Sequence, residues 1–165
     1  MIKRILSVIL MCTVLCIMSG CKQLAQNTEI MKWEMVMAPT TAKKQARIIL
    51  DCFKTGKTED LEALFCKTTS SSYDLNKEIA EAIEFIDGNI IDDGNLEDTS
   101  YREESISDGK IDKLTIAPSI YHIKTDTGKE YQINFGTCLV NEDKPEKVGM
   151  TYIMIEDDES KVTIG

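Results

Sequence analysis

Tyr121–Leu139 reads YHIKTDTGKEYQINFGTCL, and the way its two halves pair decides the fold. Apolar and polar residues alternate on both sides of Asp126-Thr127-Gly128, the period-two pattern of half-buried strands. A three-residue loop with Gly128 at positive φ sets Ile123 opposite Tyr131 and Tyr121 opposite Ile133, apolar against apolar. A two-residue Thr127-Gly128 loop would instead set Lys124 opposite Tyr131 and mix the faces. The side chains select the longer loop. They predict a hairpin whose second strand runs on through Phe135, Thr137 and Leu139.

Working outward, Asn141 to Lys147, with Pro145, forms the next connection, and Val148, Met150, Tyr152 and Met154 alternate as a last strand. Glu156-Asp157-Asp158-Glu159 then reads as a frayed, charged terminus. Upstream, Leu114, Ile116, Tyr121 and Ile123 fall in one region that Pro118 interrupts, which implies an edge or a bulge. Ile90 and Ile91 begin a first strand, and Asp92-Asp93-Gly94-Asn95 breaks it. About four antiparallel strands are expected.

Before Gly88 the period is helical. Pro39 opens a helix that Thr40 or Thr41 can cap, with Ala42, Ala46, Ile49 and Phe53 on one stripe and Gly56 placed to end it. A shorter helix follows Thr58, with Glu59 and Asp60 in its first turn and Leu61, Leu64 and Phe65 inward. Ser70-Ser71-Ser72 reads as a loop. Asp74 caps a third helix with Leu75, Ile79, Ile83 and Ile86 on one face. Helices followed by an antiparallel meander make an α+β domain with the helices on one face of the sheet.

The N-terminal end has a different character. Lys3 and Arg4 precede an apolar run from Ile5 to Met18, and Ser19-Gly20 leads into Cys21. Such a run is too short to cross a hydrocarbon core of about 30 Å as a helix, and it has the layout of a secretory leader. The Met18-Ser19-Gly20-Cys21 junction resembles the lipobox of bacterial lipoproteins. That resemblance implies cleavage before Cys21, a diacylglycerol on its sulfur, and a lipid-anchored position on the extracytoplasmic face of the cell membrane. The organisation expected is a signal peptide at 1–20, a lipidated tether at 21–38 and one domain at 39–165.

Removing 20 of the 165 residues leaves 145, enough for one domain with a real core. Lys3 and Arg4 leave with the leader, so 17 basic residues face 28 acidic ones, a balance of −11. No Lys/Arg cluster with interleaved aromatics offsets this, which argues against nucleic acid as a partner. Two readings of Met31, Trp33, Met35 and Met37, which alternate with Lys32, Glu34 and Val36, stand open: an extended arm with one apolar face, or a linker whose Trp33 sits at the bilayer interface. Cys52, Cys66 and Cys138 remain for the folded part, either as three buried thiols or as a Cys52–Cys66 bridge with one free thiol.

Ala46–Ile155, above all ILDCFKTGKTEDLEALF, EAIEFIDGNI and KVGMTYIMI, resembles a family of small Gram-positive lipoproteins of uncharacterised function. The order of helices and hairpins resembles the cystatin-like or nuclear-transport-factor-2-like cone. These motifs are packing and turn signals, and they carry over no catalytic residue.

The chemistry is sparse. His122 is the sole histidine, out of phase with Tyr121 and Ile123 and so directed to the sheet's outer side. No cysteine or histidine spacing suits a metal, and the acidic stretch from Asp87 lacks the oxygen and glycine positions of a calcium loop. No phosphate loop, dinucleotide fingerprint or serine-nucleophile motif calls for a cofactor or a familiar hydrolase mechanism. Tyr121, Tyr131, Tyr152 and Phe135, with Glu84 nearby, are the candidate lining of a pocket at the mouth of a cone. The function expected is a binding module for a small apolar ligand or a protein with a basic surface. The alternative is a small isomerase, dehydratase or hydrolase that uses the cone cavity.

Overall fold

A computed structural model describes residues 28, 30–97, 102–108 and 110–165. The leader, Cys21 and the first part of the tether (21–27 and 29) lie outside the described residues. The helical layer comprises α1 (Ala38–Thr55), α2 (Glu59–Glu62), α3 (Lys67–Ser72) and α4 (Leu75–Phe85). The sheet comprises β1 (Ile90–Asp92), β2 (Asn95–Glu97), β3 (Arg102–Ser107), β4 (Lys110–Ile116), β5 (Ser119–Thr125), β6 (Glu130–Asn141), β7 (Gly149–Glu156) and β8 (Lys161–Ile164). The class is α+β, as expected. The strand count is eight rather than four.

The long β6 organises the sheet. β5 pairs with its first half and β4 with its second half, so the two behave as one strand broken at Ala117-Pro118. β7 lies along the other edge and carries β8 beyond it. β1 and β2 flank β5, and β3 flanks β4. Two of the extra strands come from these breaks. The other two carry weak signals: β3, REESIS, has one apolar residue, and β8 follows an acidic run. That run is a turn and not a frayed end, because the Asp157 carboxylate accepts from the Glu159 and Ser160 amides at 2.9 and 2.8 Å. Ile164 is fully buried, and the Gly165 amide donates to Glu78 Oε2 at 2.8 Å.

The hairpin loop forms as read: the Gly128 amide donates to the Thr125 carbonyl, φ at Gly128 is +86°, and Ile123 faces Tyr131. The register then slips. Ile120, not Tyr121, faces Ile133, because Tyr121-His122 forms a bulge with His122 at φ +62°. A second bulge at Gly136/Thr137 shifts the phase of β7, so Met150, Ile153 and Ile155 are buried while Tyr152 and Met154 are only half-buried. One inserted residue sends each later side chain to the opposite face.

Helices α1, α2 and α4 cover one sheet face, with Ile49, Leu61, Ile79, Ile133, Phe135 and Ile153 in their shared core. Within this layer Thr137 Oγ1 donates to Gln45 Oε1 at 3.0 Å, so a buried polar pair is satisfied. Ser70–Ser72 is helical rather than a loop: the Ser70, Ser71 and Ser72 hydroxyls bond back to carbonyls one turn earlier. The Asp74 carboxylate caps α4 as expected, accepting from the Lys77 amide at 3.3 Å. Residues 30–37 are helical and run into α1, so the extended reading of Met31–Met37 is corrected. Pro39 has no amide to donate, and the turn ahead of it widens to a π-helix in which the Ala38 amide reaches the Trp33 carbonyl.

Candidate functional site

Two clefts open at opposite ends of β6. The first, about 410 Å³, is lined by Tyr121, His122, Glu130, Tyr131, Gln132, Glu156, Asp157 and Asp158. The β5 bulge builds it, because the left-handed turn at His122 brings the imidazole beside Glu130, the cross-strand partner of Lys124. His122 Nδ1 lies 2.5 Å from Glu130 Oε1, with both side chains substantially exposed. The Tyr121 ring leans over His122, centroids 6.4 Å apart. Asn134 organises the adjoining surface: its Oδ1 accepts from Ser119 Oγ at 2.6 Å and Gln132 Nε2 at 2.9 Å, and its Nδ2 donates to Glu156 Oε1 at 3.1 Å.

The cleft is negative for structural reasons. Amide hydrogen bonds from Glu159 and Ser160 hold the Asp157 carboxyl below its usual pKa. At the hairpin tip nearby, the Asn89 side chain and amide do the same for Asp126. Opposite the imidazole, Glu130 is one of four carboxylates in the lining, and His122 is its single titratable base.

The second cleft, about 480 Å³, lies where α3 meets the far end of β6, and its lining includes Lys113, Lys144, Lys147, Asp143 and the buried Cys66 and Cys138. Its lysines sit among carboxylates: Lys113 pairs with Glu103 at 2.7 Å, and Lys144 and Lys147 alternate with Glu142, Asp143 and Glu146. The Thr68 and Thr69 hydroxyls are committed, donating to the Glu146 and Thr151 carbonyls. Cys52, Cys66 and Cys138 are all free and buried, and burial pushes the Cys52 thiol up to about 11.

The residues singled out by sequence are dispersed. Tyr121 and Tyr131 meet at the first cleft. Tyr131 is otherwise core: its hydroxyl accepts from the Asp87 amide at 2.8 Å, and its ring meets Phe85 edge-on. Phe135 is fully buried, Tyr152 lies against Gly136, and Glu84 is exposed on α4. Glu130, Gln132, Glu156, Asp157 and Asp158 were not singled out as site residues. The available signal was Glu130 at the hairpin base, which faces Lys124, two residues along the strand from the only histidine.

Residues 48–161 match the DUF5104 family model, a domain of unknown function. The chain belongs to the DUF5104 family. No curated protein matches it. The DUF5104 span contains both clefts and begins inside α1, so the helical residues 30–37 precede it. Among the described residues, no helix is long and apolar enough to cross a membrane, and no three His, Cys, Asp or Glu residues are grouped to hold a metal.

Proposed function

We propose that this chain is a lipoprotein held at Cys21 on the extracytoplasmic face of the cell membrane, and that the acidic cleft around His122 binds the basic surface of a protein partner. The observation that carries the binding assignment is the bulge, which holds a non-glycine residue at φ +62° beside Glu130 in an open cleft. Left-handed backbone at such a residue costs about 1–3 kcal/mol, and strain of this kind clusters at functional sites. The four carboxylates favour a cationic group, and the Tyr121 ring offers it a flat π surface. A mature charge of −11 steers a basic partner toward the domain.

The architecture supports reading the domain as a variant of the cystatin-like or nuclear-transport-factor-2-like cone, since the helices precede the sheet and cover one of its faces. Phe135, Tyr131 and Ile79 fill the layer between helices and sheet. This filling favours a protein partner over a small apolar ligand. Binding is favoured over catalysis because the His122–Glu130 pair is open to solvent and the cleft lining holds no serine or cysteine.

A photo-crosslinking residue at Tyr121 of the full chain in its host tests the reading, with the same residue at Glu84 as the reference position. A discrete adduct from position 121, lost on Glu130→Gln/Glu156→Gln, supports it. Identical adducts from both positions, or adducts indifferent to the charge removal, overturn it.

A further inference from the structure

We propose that the helical segment preceding α1 lies in the membrane interface, with Met31, Met35 and Val36 in contact with lipid, and so fixes how the domain stands on the bilayer. The inference rests on the lipid-anchor reading and adds a second, non-covalent contact to it. Eight large hydrophobic residues are well exposed among the described residues, and four of them are Met31, Met35, Val36 and Met37, at 54, 70, 53 and 38 %. The others, Tyr73, Ile91, Ile106 and Val148, are scattered over the domain. Four exposed apolar side chains within seven residues form a patch, and a patch implies a covering surface.

On the helix Met31, Met35 and Val36 fall within about 140° of one another, and Met37 lies apart from them. Met31 and Met35 are four residues apart, on one face of a helical turn. Farther along, Ala38 and Ala42 are buried against Ile116 and Leu139, so the continuous helix is seated on the sheet at one end and bare at the other. Cys21 lies ten residues before Met31, a span of at most about 35 Å when extended, so an acyl chain there keeps the bare end within reach of lipid.

The chemistry of the segment suits a bilayer. Anionic lipid repels a domain with a −11 balance, so contact has to come from apolar insertion and not from a polybasic patch. Flexible, polarizable methionine adapts to an uneven surface, and the indole of Trp33, half-buried between the exposed residues, prefers the headgroup level.

Trp33 is the only tryptophan of the chain and reports its own depth. The lipidated full chain is reconstituted into phosphatidylcholine vesicles whose acyl chains are brominated near the headgroup. Quenching of Trp33, with an emission blue shift, is expected, together with loss of both in Met31→Asp/Met35→Asp while the protein still floats with the vesicles. A second reporter, Trp33→Phe/Met35→Trp, moves the indole to the most exposed position and is expected to be quenched more strongly. Vesicle-bound protein whose Trp33 is not quenched overturns the proposal, as does equal quenching in the aspartate variant. Mass spectrometry of the Cys21 peptide reads the anchor separately: an unmodified thiol defeats the lipoprotein reading, whatever the fluorescence shows.

Discussion

The two ends of β6 share one strand and differ in what their turns make of it. At the Glu130 end, the tight Asp126–Gly128 loop and the Asp157 turn bring carboxylates around a single imidazole. At the Asn141 end, the Pro145–Lys147 turn closes over α3 and sets lysines among carboxylates above two buried thiols. The first end is exposed and backbone-strained at His122, while the second is anchored by close backbone approach, with the Cys66 amide donating to Met150 and the Met150 amide to Leu64. A continuous strand supplies the same support to both, so turn composition sets the difference. The proposed recognition uses the strained, charged end, and the packed end secures the helices.

Substitutions should separate the two ends by size of effect. Gly149 has φ +130°, and a Cβ there would meet the Cys66 Cα and N at 2.9 Å. Gly149→Ala is expected to cost about 3 kcal/mol, read as a fall in Tm of roughly 10 °C, since both backbones must shift. Between the ends, Thr137→Val strands the buried Gln45 oxygen and should cost about 1–3 kcal/mol in urea unfolding, much of it recovered in Gln45→Leu/Thr137→Val. Gly128 also has positive φ, but a Cβ there meets nothing within 4 Å. Gly128→Ala should therefore cost only about 1 kcal/mol, and a loss as large as that at Gly149 would break the contrast.

The smallest effect is expected at His122→Gly, within about 1 kcal/mol of the wild type, because relief of its backbone offsets loss of an exposed contact. A much larger loss would make His122 a structural residue and remove the functional reading of its strain. Alkali tests the shared core independently of either end. The Cys52 pKa rises to about 11 in the folded state from an ordinary 9.0, so between those values the unfolded chain has already given up the proton that the native state keeps. Stability should fall as pH rises through that window, and Cys52→Ala should flatten the fall.

Legibility in the sequence followed the range of the forces involved. The Ile123–Tyr131 pairing, the Asp74 cap and the Gly56 stop depend on neighbours a few residues away, and each was readable. β3 was not, because its apolar content is slight, and β8 was not, because Val162 and Ile164 alternate over only four residues after an acidic run; partners hold both in place. Pro39 read as a helix start; the π-turn that lets the helix pass through it is a property of the assembled backbone. Tyr152 was assigned to the apolar face because nothing local announces the bulge at Gly136 and Thr137.

The sequence by itself determined the α+β order, the capped α4, the hairpin loop and the acidic balance, since periodicity, turn chemistry and charge are local or additive. The tertiary structure alone decided the two bulges, the paths of the edge strands, and the meeting of His122 with Glu130, Gln132 and Glu156. A bulge shifts a strand by one residue at almost no local cost, and its benefit lies in packing against elements far away in the chain.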